Sequence, residues 1–104
     1  MPGRILVVDD EKDMLALLRR MISEERDYEV LTENDPKRAL ERFRAQPVEL
    51  VMTDLKMPGM DGIALLEAVK KLQPKTAVIV LTAFATIETA VEATQKGAFD
   101  YITK

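Results

Sequence analysis

The sequence contains no cysteine, no histidine and no tryptophan among its 104 residues. Without cysteine the chain can form neither a disulfide bond nor a reactive thiolate, and its composition is compatible with the reducing cytoplasm in which we expect it to act. Without histidine it lacks the side chain that most often serves as a general base and most often binds zinc. These absences exclude disulfide-stabilised scaffolds and thiol chemistry for this chain.

Long apolar runs and an excess of positive charge are missing as well. The apolar runs are far shorter than a membrane span, so neither a transmembrane helix nor a signal peptide is predicted. The 15 basic residues are outnumbered by 18 acidic ones, and the net charge of −3 argues against direct binding of nucleic acid. Apolar residues make up 47% of the chain, enough for one hydrophobic core, and the length fits a single domain over residues 1–104.

Short apolar runs alternate along the chain with longer amphipathic segments. Strands are predicted where a short run is apolar throughout or alternates, namely at residues 5–8, 28–32, 48–53, 77–81 and 99–103. The wholly apolar runs at 5–8 and 77–81 indicate strands that are buried on both faces of a sheet. The alternating run at 28–32 is typical of an edge strand.

Amphipathic helices are predicted in the intervals between these strands. The last three helices each begin at a residue type that caps helices well, and these residues are Asp35, Asp61 and Thr86. Pro36 suits the first turn of the second helix, and Gly97 ends the fourth. The helix boundaries are therefore signalled by local sequence as well as by the apolar pattern.

The alternation of strands and helices, with short connections, predicts a doubly wound α/β fold. Its five parallel strands would lie in one sheet in the flavodoxin-like order 2-1-3-4-5, with helices on both faces. A final helix after the fifth strand is lacking from this sequence. We therefore expect the first helix alone to cover one face, and an apolar strip over the fourth and fifth strands to cause self-association or low stability.

Three aspartates follow strands that flank the point where the strand order reverses. Asp9 and Asp10 follow the first strand and Asp54 follows the third, so the topology brings their carboxylates into one crevice. At ~4 Å and an effective dielectric constant near 20, each unscreened pair repels by roughly 4 kcal/mol. Either the pKa values rise or a cation neutralises the charges, and hard oxygen ligands favour Mg²⁺. A carboxylate beside Mg²⁺ can attack an activated phosphoryl group, assisted by a nearby lysine.

Each of these residues also has a plainer interpretation when it is taken alone. The aspartates could be solvated caps or loop acids, Thr82 a turn residue, Lys104 a surface lysine and Tyr101 part of the core. Gly59 and Gly62 could belong to any turn, although the pair indicates backbone with unusual dihedral angles. Their joint placement at strand ends is what favours a functional site.

Motifs at four places, in order and correctly spaced, resemble the receiver domain of two-component response regulators. They are residues 6–11 (LVVDDE), 54–62 (DLKMPGMDG), 81–83 (LTA) and 100–104 (DYITK). Within that family, residues 82–84 (TAF) and 97–101 (GAFDY) are most similar to receivers of NtrC-type, sigma-54-dependent transcriptional activators. The resemblance spans the whole chain and implies a CheY-like fold. The chain departs from the family in ending at Lys104, where receivers usually continue with proline and a fifth helix.

The resemblance implies a chemical role for each residue of the acidic crevice. Asp54 is the phosphoacceptor, and Lys104 pairs with the phosphoryl oxygens. Asp10 binds Mg²⁺ directly, Asp9 contributes mostly through water, Asp54 is a further metal ligand, and the backbone carbonyl of Lys56 completes the set that the protein supplies.

The resemblance also implies a conformational switch. The hydroxyl of Thr82 moves to the phosphoryl group and Tyr101 follows by changing rotamer, which alters the signalling surface on the fourth helix, residues 86–96. Lys56 and Phe84 occupy the positions at which the family tunes phosphoryl lifetime.

The function implied is that of a phosphorylation-activated signalling switch rather than an enzyme, apart from catalysis of its own phosphorylation and dephosphorylation. The resemblance implies a sensor histidine kinase as the donor, and any phosphohistidine must lie on another protein because the chain has no histidine of its own. The output would be a further domain that regulates transcription. A homodimer is a further expectation.

Two other functions stay open. A Mg²⁺-dependent aspartyl phosphatase of the haloacid dehalogenase type would place its nucleophile and acid two residues apart, whereas Asp9 and Asp10 are adjacent. A docking module that works without phosphorylation would not need the acidic set together with Thr82 and Lys104.

Overall fold

Parallel strands alternate with helices throughout the part of the chain that the computed structural model describes, residues 3–24 and 28–104. The elements are β1 (Gly3–Val8), α1 (Lys12–Ser23), β2 (Tyr28–Glu33), α2 (Pro36–Ala45), β3 (Leu50–Thr53), α3 (Gly62–Leu72), β4 (Ala77–Thr82), α4 (Ile87–Gln95) and β5 (Asp100–Thr103). The five strands form one parallel sheet in the order β2-β1-β3-β4-β5. This confirms the predicted topology, with β2 at an edge. None of the described helices is long and apolar enough to cross a bilayer.

Some strand ends differ by one or two residues from those predicted. β3 begins at Leu50 rather than at residue 48, because its paired register with β1 starts at Leu50 opposite Ile5. Val48 lies before the strand, and its carbonyl instead accepts a hydrogen bond from the buried Thr76 hydroxyl at 2.8 Å. β5 likewise begins at Asp100 rather than at residue 99. β2 and β4 each extend one residue further than predicted.

The three predicted helix caps are confirmed by their hydrogen bonds. The side chains of Asp35, Asp61 and Thr86 each accept a hydrogen bond from a backbone amide in the first turn of α2, α3 and α4 respectively. Pro36 is the first residue of α2, where its missing amide hydrogen would have had no partner in the helix. Local sequence therefore fixes where these helices begin.

The two faces of the sheet are covered unequally. Helices α2, α3 and α4 pack on one face around a core that includes Phe43, Leu66 and Val80. On the other face, a smaller cluster forms where Leu15 of α1 packs against residues of β1 and β2 such as Val7. The expectation that α1 alone covers this second face is confirmed for the described residues.

The unequal cover leaves one side of β4 and β5 partly open. In β4, Val78 and Val80 are fully buried, whereas Ile79 and Leu81 on the α1 side are only partly buried. In β5, Ile102 is 40% exposed. The prediction that β4 is buried on both faces was therefore wrong for the α1 side, because no final helix covers that side within the described residues.

Candidate functional site

The carboxyl ends of β1 and β3 lie side by side at one edge of the sheet. Val8 pairs with Thr53 at the last position of the ladder. The Asp54 amide then donates a hydrogen bond to the Val8 carbonyl at 2.9 Å, which continues the contact beyond the strands. Asp9 follows Val8 directly, so the backbone holds the two aspartates next to each other. This is the switch point of the strand order, as the sequence predicted.

One carboxylate oxygen from each of Asp9, Asp10 and Asp54 lies within 4.8 Å of the corresponding oxygens of the other two. Asp9 is only 1% exposed and Asp54 6% exposed, whereas Asp10 is exposed. The predicted grouping of these three side chains is therefore present. Two full negative charges at this separation repel by roughly 3.5 kcal/mol at an effective dielectric constant near 20.

The Lys104 side chain supplies a positive charge inside this group. Its Nζ lies 2.9 Å from Oδ2 of Asp9 and 3.5 Å from Oδ2 of Asp54, and the side chain is 13% exposed. Its backbone amide donates to the Thr82 carbonyl at 2.9 Å, which holds the end of β5 against the end of β4. Lys104 therefore joins the site from a third strand, and its shorter contact is with Asp9.

Burial and neighbouring charges shift the pKa values of Asp54 and Lys104, and burial acts on the two groups in opposite directions. Burial raises the pKa of Asp54, the charge of Asp9 raises it further, and the charge of Lys104 with the Leu55 amide only partly offsets this rise. Burial lowers the pKa of Lys104, but its hydrogen bond to Asp9 and the charges of Asp9 and Asp54 outweigh that effect and raise the pKa overall. The site thus disfavours an ionised Asp54 while holding Lys104 protonated.

Asp9 and Asp10 differ in how many partners their oxygens already have. Oδ1 of Asp9 accepts a hydrogen bond from the Glu11 amide at 3.0 Å, and Oδ2 is paired with Lys104. Asp10 makes no side-chain hydrogen bond or ion pair within residues 3–24 and 28–104. The chemistry of this donor set fits Mg²⁺, which prefers carboxylate and carbonyl oxygens. Asp10 has the greater freedom to serve as a direct ligand.

The predicted switch residues Thr82 and Tyr101 lie near the site but contact other groups. Thr82 is fully buried, and its Oγ1 accepts a hydrogen bond from the Phe84 amide at 3.0 Å. Among the residues that the structure describes, no hydrogen bond joins Thr82 to Asp54. Tyr101 is partly buried, and its hydroxyl lies 2.6 Å from Oγ1 of Thr89 in α4. Thr89 was not predicted as part of the site, because nothing in the local sequence of a helix shows that one of its threonines bonds a residue on a strand.

Lys56 and Phe84, which lie two residues after Asp54 and Thr82 respectively, contact each other. Nζ of Lys56 lies 5.7 Å from the centroid of the Phe84 ring, and Phe84 is 61% exposed. A cation–π contact at an exposed position contributes about 0.5–1 kcal/mol. The two residues predicted to tune phosphoryl lifetime are therefore in direct contact with each other.

Two glycines shape the backbone behind Asp54 for different reasons. Gly59 has a φ of 84°, a backbone conformation in which a residue with a side chain would be strained. This confirms the unusual dihedral angle predicted for the loop. Gly62 has an ordinary φ, so the same prediction was wrong for it. A Cβ atom at Gly62 would overlap the Asp54 carbonyl oxygen, and the Gly62 amide donates to the Leu55 carbonyl at 2.7 Å. The first turn of α3 can approach Asp54 only because residue 62 has no side chain.

Comparison with known proteins agrees with this geometry. The response regulator receiver domain family matches residues 5–104. Transcriptional regulatory protein ZraR from Escherichia coli (strain K12) is 42% identical over 100 residues, which are 96% of this chain and 22% of ZraR. The chain spans about a fifth of the length of the curated relatives that it matches.

Solved structures with the same fold extend the comparison. A response regulator protein from Burkholderia pseudomallei, crystallised with a phosphorylated aspartic acid, calcium ion and citrate, is 33% identical with a TM-score of 0.90 over 98% of this chain and 59% of that chain. The solution structure of the beryllofluoride-activated NtrC4 receiver domain dimer is 32% identical with a TM-score of 0.90 over 97% of this chain and 83% of that chain. The latter agrees with the similarity to NtrC-type receivers that the sequence predicted.

Proposed function

The chain belongs to the response regulator receiver domain family, and on that premise we propose that it is a phosphorylation-activated switch whose phosphoacceptor is Asp54. The observation that carries the proposal is the contact of one lysine with two clustered carboxylates. Lys104 lies 2.9 Å from Asp9 and 3.5 Å from Asp54, and both belong to the group of aspartates that also contains Asp10. A structural ion pair would need only one carboxylate, so the additional negative charges favour a site that binds a cation and a phosphoryl group.

The proposed reaction transfers a phosphoryl group from a phosphohistidine on a sensor histidine kinase. A carboxylate oxygen of Asp54 attacks phosphorus, and an O–P bond forms as the N–P bond breaks. The histidine nitrogen leaves with the electron pair of the broken bond. Lys104 favours the ionised form of Asp54 and stands ready to pair with the transferred oxygens. The acyl phosphate on Asp54 is hydrolysed later by water, which restores the carboxylate and releases phosphate.

The residues that would hold Mg²⁺ are Asp10 and Asp54 directly, Asp9 mostly through water, and Lys56 through its backbone carbonyl. When bound, Mg²⁺ would neutralise charge on the carboxylates and on the transferring oxygens. The similar Burkholderia pseudomallei protein was crystallised with a phosphorylated aspartic acid and a calcium ion, and this combination supports the proposal by analogy.

The proposed output is a change around α4. Thr82 would turn from the Phe84 amide towards the phosphoryl group, and Tyr101 would follow. The Lys56–Phe84 contact would limit access of water to the acyl phosphate and so set its lifetime. Because ZraR, a transcriptional regulatory protein, is far longer than this chain, we propose that the native protein carries an output domain that regulates transcription. The NtrC4 receiver dimer supports a homodimer as one active form.

Phosphorylation by a small donor tests the proposal directly. The protein is incubated with Mg²⁺ and acetyl phosphate, and the adduct is mapped by mass spectrometry. We expect one phosphoryl group on Asp54 and none on the Asp54→Asn variant. Asp61→Asn is the matched control, because asparagine also caps helices and Asp61 lies in the same loop. Stoichiometric labelling of Asp54→Asn would overturn the assignment, and absence of labelling in the wild type would favour a docking module.

A further inference from the structure

The hydroxyl of Thr89 connects the N-terminal cap of α4 to Tyr101 on β5. The Thr89 amide donates to Oγ1 of Thr86 at 3.1 Å, and the Thr86 amide donates back to Oγ1 of Thr89 at 3.3 Å. This reciprocal pair is a capping box, in which the third helical position is more often Glu or Gln. The same Thr89 oxygen lies 2.6 Å from the Tyr101 hydroxyl. A single atom therefore takes part in both the helix cap and the contact between α4 and β5.

The hydrogen-bonding capacity of this oxygen is fully used. A hydroxyl offers one hydrogen and two lone pairs. The Thr86 amide uses one lone pair of Oγ1 in Thr89, which leaves one lone pair and one hydrogen. For these, the Tyr101 hydroxyl at 2.6 Å, the Thr86 hydroxyl at 2.8 Å and the Thr86 carbonyl at 3.2 Å are the available partners. The Tyr101 hydroxyl therefore competes with two groups of Thr86 for the remaining capacity of Oγ1 in Thr89.

Tyr101 also lies close to the candidate site through the sheet. It pairs with Val80 in the ladder between β4 and β5, two residues before Thr82. On the other side, Thr89 borders an open groove of about 490 Å³ that is also lined by Leu55 and Met57. The first turn of α4 is thus tied to β5 by the Thr89–Tyr101 hydrogen bond and has open space on the side of the β3–α3 loop.

We propose that Thr89 is a positioning residue that holds Tyr101 and the α4 cap in the arrangement where the Thr82 hydroxyl faces the Phe84 amide. The proposal rests on the proposed function, because it assigns Thr89 a part in the switch that phosphorylation of Asp54 would operate. The hydrogen bond stabilises one of the two arrangements, so its loss should shift the equilibrium towards the other. By linkage, the affinity of Asp54 for a phosphoryl mimic should rise by the same factor.

Beryllofluoride, a phosphoryl mimic, serves as the probe together with Mg²⁺, and amide chemical shifts of α4 report binding. Loss of one hydrogen bond of ordinary strength should tighten beryllofluoride binding about fivefold in Tyr101→Phe, which leaves the bonds between Thr86 and Thr89 intact. Thr89→Val removes the same bond and should tighten binding to a similar extent, but it also removes the acceptor of the Thr86 amide. The double variant should bind no more tightly than Thr89→Val alone, because Tyr101→Phe then has no bond left to remove.

Controls separate this role from a general effect on the helix. Thr89→Ser keeps the hydroxyl and should restore wild-type affinity. Thr94→Val is the matched control, because across residues 3–24 and 28–104 the Thr94 hydroxyl bonds only to the Ala90 carbonyl of α4, at 2.9 Å. Additive effects of Thr89→Val and Tyr101→Phe in the double variant would overturn the proposal while leaving the proposed function intact. Affinities of these two single variants equal to that of Thr94→Val would do the same. Failure of the wild type to bind beryllofluoride would overturn both.

Discussion

Magnesium binding should stabilise this protein, and the two neighbouring aspartates should contribute to it unequally. Both oxygens of Asp9 already have partners, the Glu11 amide and Lys104, whereas Asp10 is exposed and makes no such bond in the described part of the chain. Asp10→Asn should therefore weaken Mg²⁺ binding more than Asp9→Asn. An asparagine at position 10 also removes one of the repelling charges, so the metal-free variant should be more stable than the metal-free wild type.

The expected size of the effect follows from mass action. A ligand that binds only the folded state at ten times its Kd contributes about 1.4 kcal/mol. For a domain of this size, that free energy corresponds to a rise in Tm of roughly 6–11 °C. The repulsion of roughly 3.5 kcal/mol for each fully charged pair in the site is larger than this contribution. Relief of only part of that repulsion is therefore enough to account for the expected stabilisation by Mg²⁺.

Thermal melts over a range of MgCl₂ concentrations measure the effect, with NaCl at equal ionic strength as the control for screening. The wild type should show a saturable rise in Tm. The Tm of Asp9→Asn should rise only at higher Mg²⁺ concentrations, and the Tm of Asp10→Asn should rise little. Equal losses in the two variants, or a greater loss in Asp9→Asn, would refute the assignment of Asp10 as the direct ligand. An equal rise in Tm with NaCl at the same ionic strength would refute specific binding.

Two further predictions concern stability and association. Because the pKa of Asp54 is raised above its ordinary value of 3.8 on folding, ionisation of Asp54 destabilises the folded state. Asp54→Asn should thus raise the metal-free Tm at pH 7, with a gain that shrinks as the pH falls towards 4; a gain independent of pH would contradict this. The half-open α1 side of the sheet should cause self-association at micromolar concentration, and light scattering should show that Ile102→Lys reduces it more than Ile87→Lys on the exposed face of α4.

Much of the fold could be predicted because its signals are local. Capping residues such as Asp35 and Thr86 mark helix starts through bonds to amides only two or three residues away. Apolar runs give the strands, and the short alternating connections restrict the strand order to few possibilities. That order alone then places Asp9 beside Asp54. The acidic crevice was therefore predictable without any knowledge of side-chain geometry.

Other features could not be predicted because they depend on contacts between distant segments. Nothing local to Gly62 shows that its missing side chain makes room for the Asp54 carbonyl. The preference of Lys104 for Asp9 over Asp54 depends on distances of 2.9 and 3.5 Å, which strand order does not determine. The Thr89–Tyr101 bond joins residues twelve positions apart through a helix and a strand. Such pairs are set by packing, which periodicity does not encode.

The position of Lys104 suggests how a change of charge at Asp54 could reach α4. Its Nζ is shared between two carboxylates, so added negative charge and acceptor oxygens on Asp54 should draw it away from Asp9. Its amide donates a hydrogen bond to the Thr82 carbonyl, and it directly follows β5, three residues after Tyr101. A shift of Lys104 therefore acts on the two segments that carry Thr82 and Tyr101. Only interactions that differ between the two arrangements can move the equilibrium, and the unequal sharing of Lys104 is one such difference.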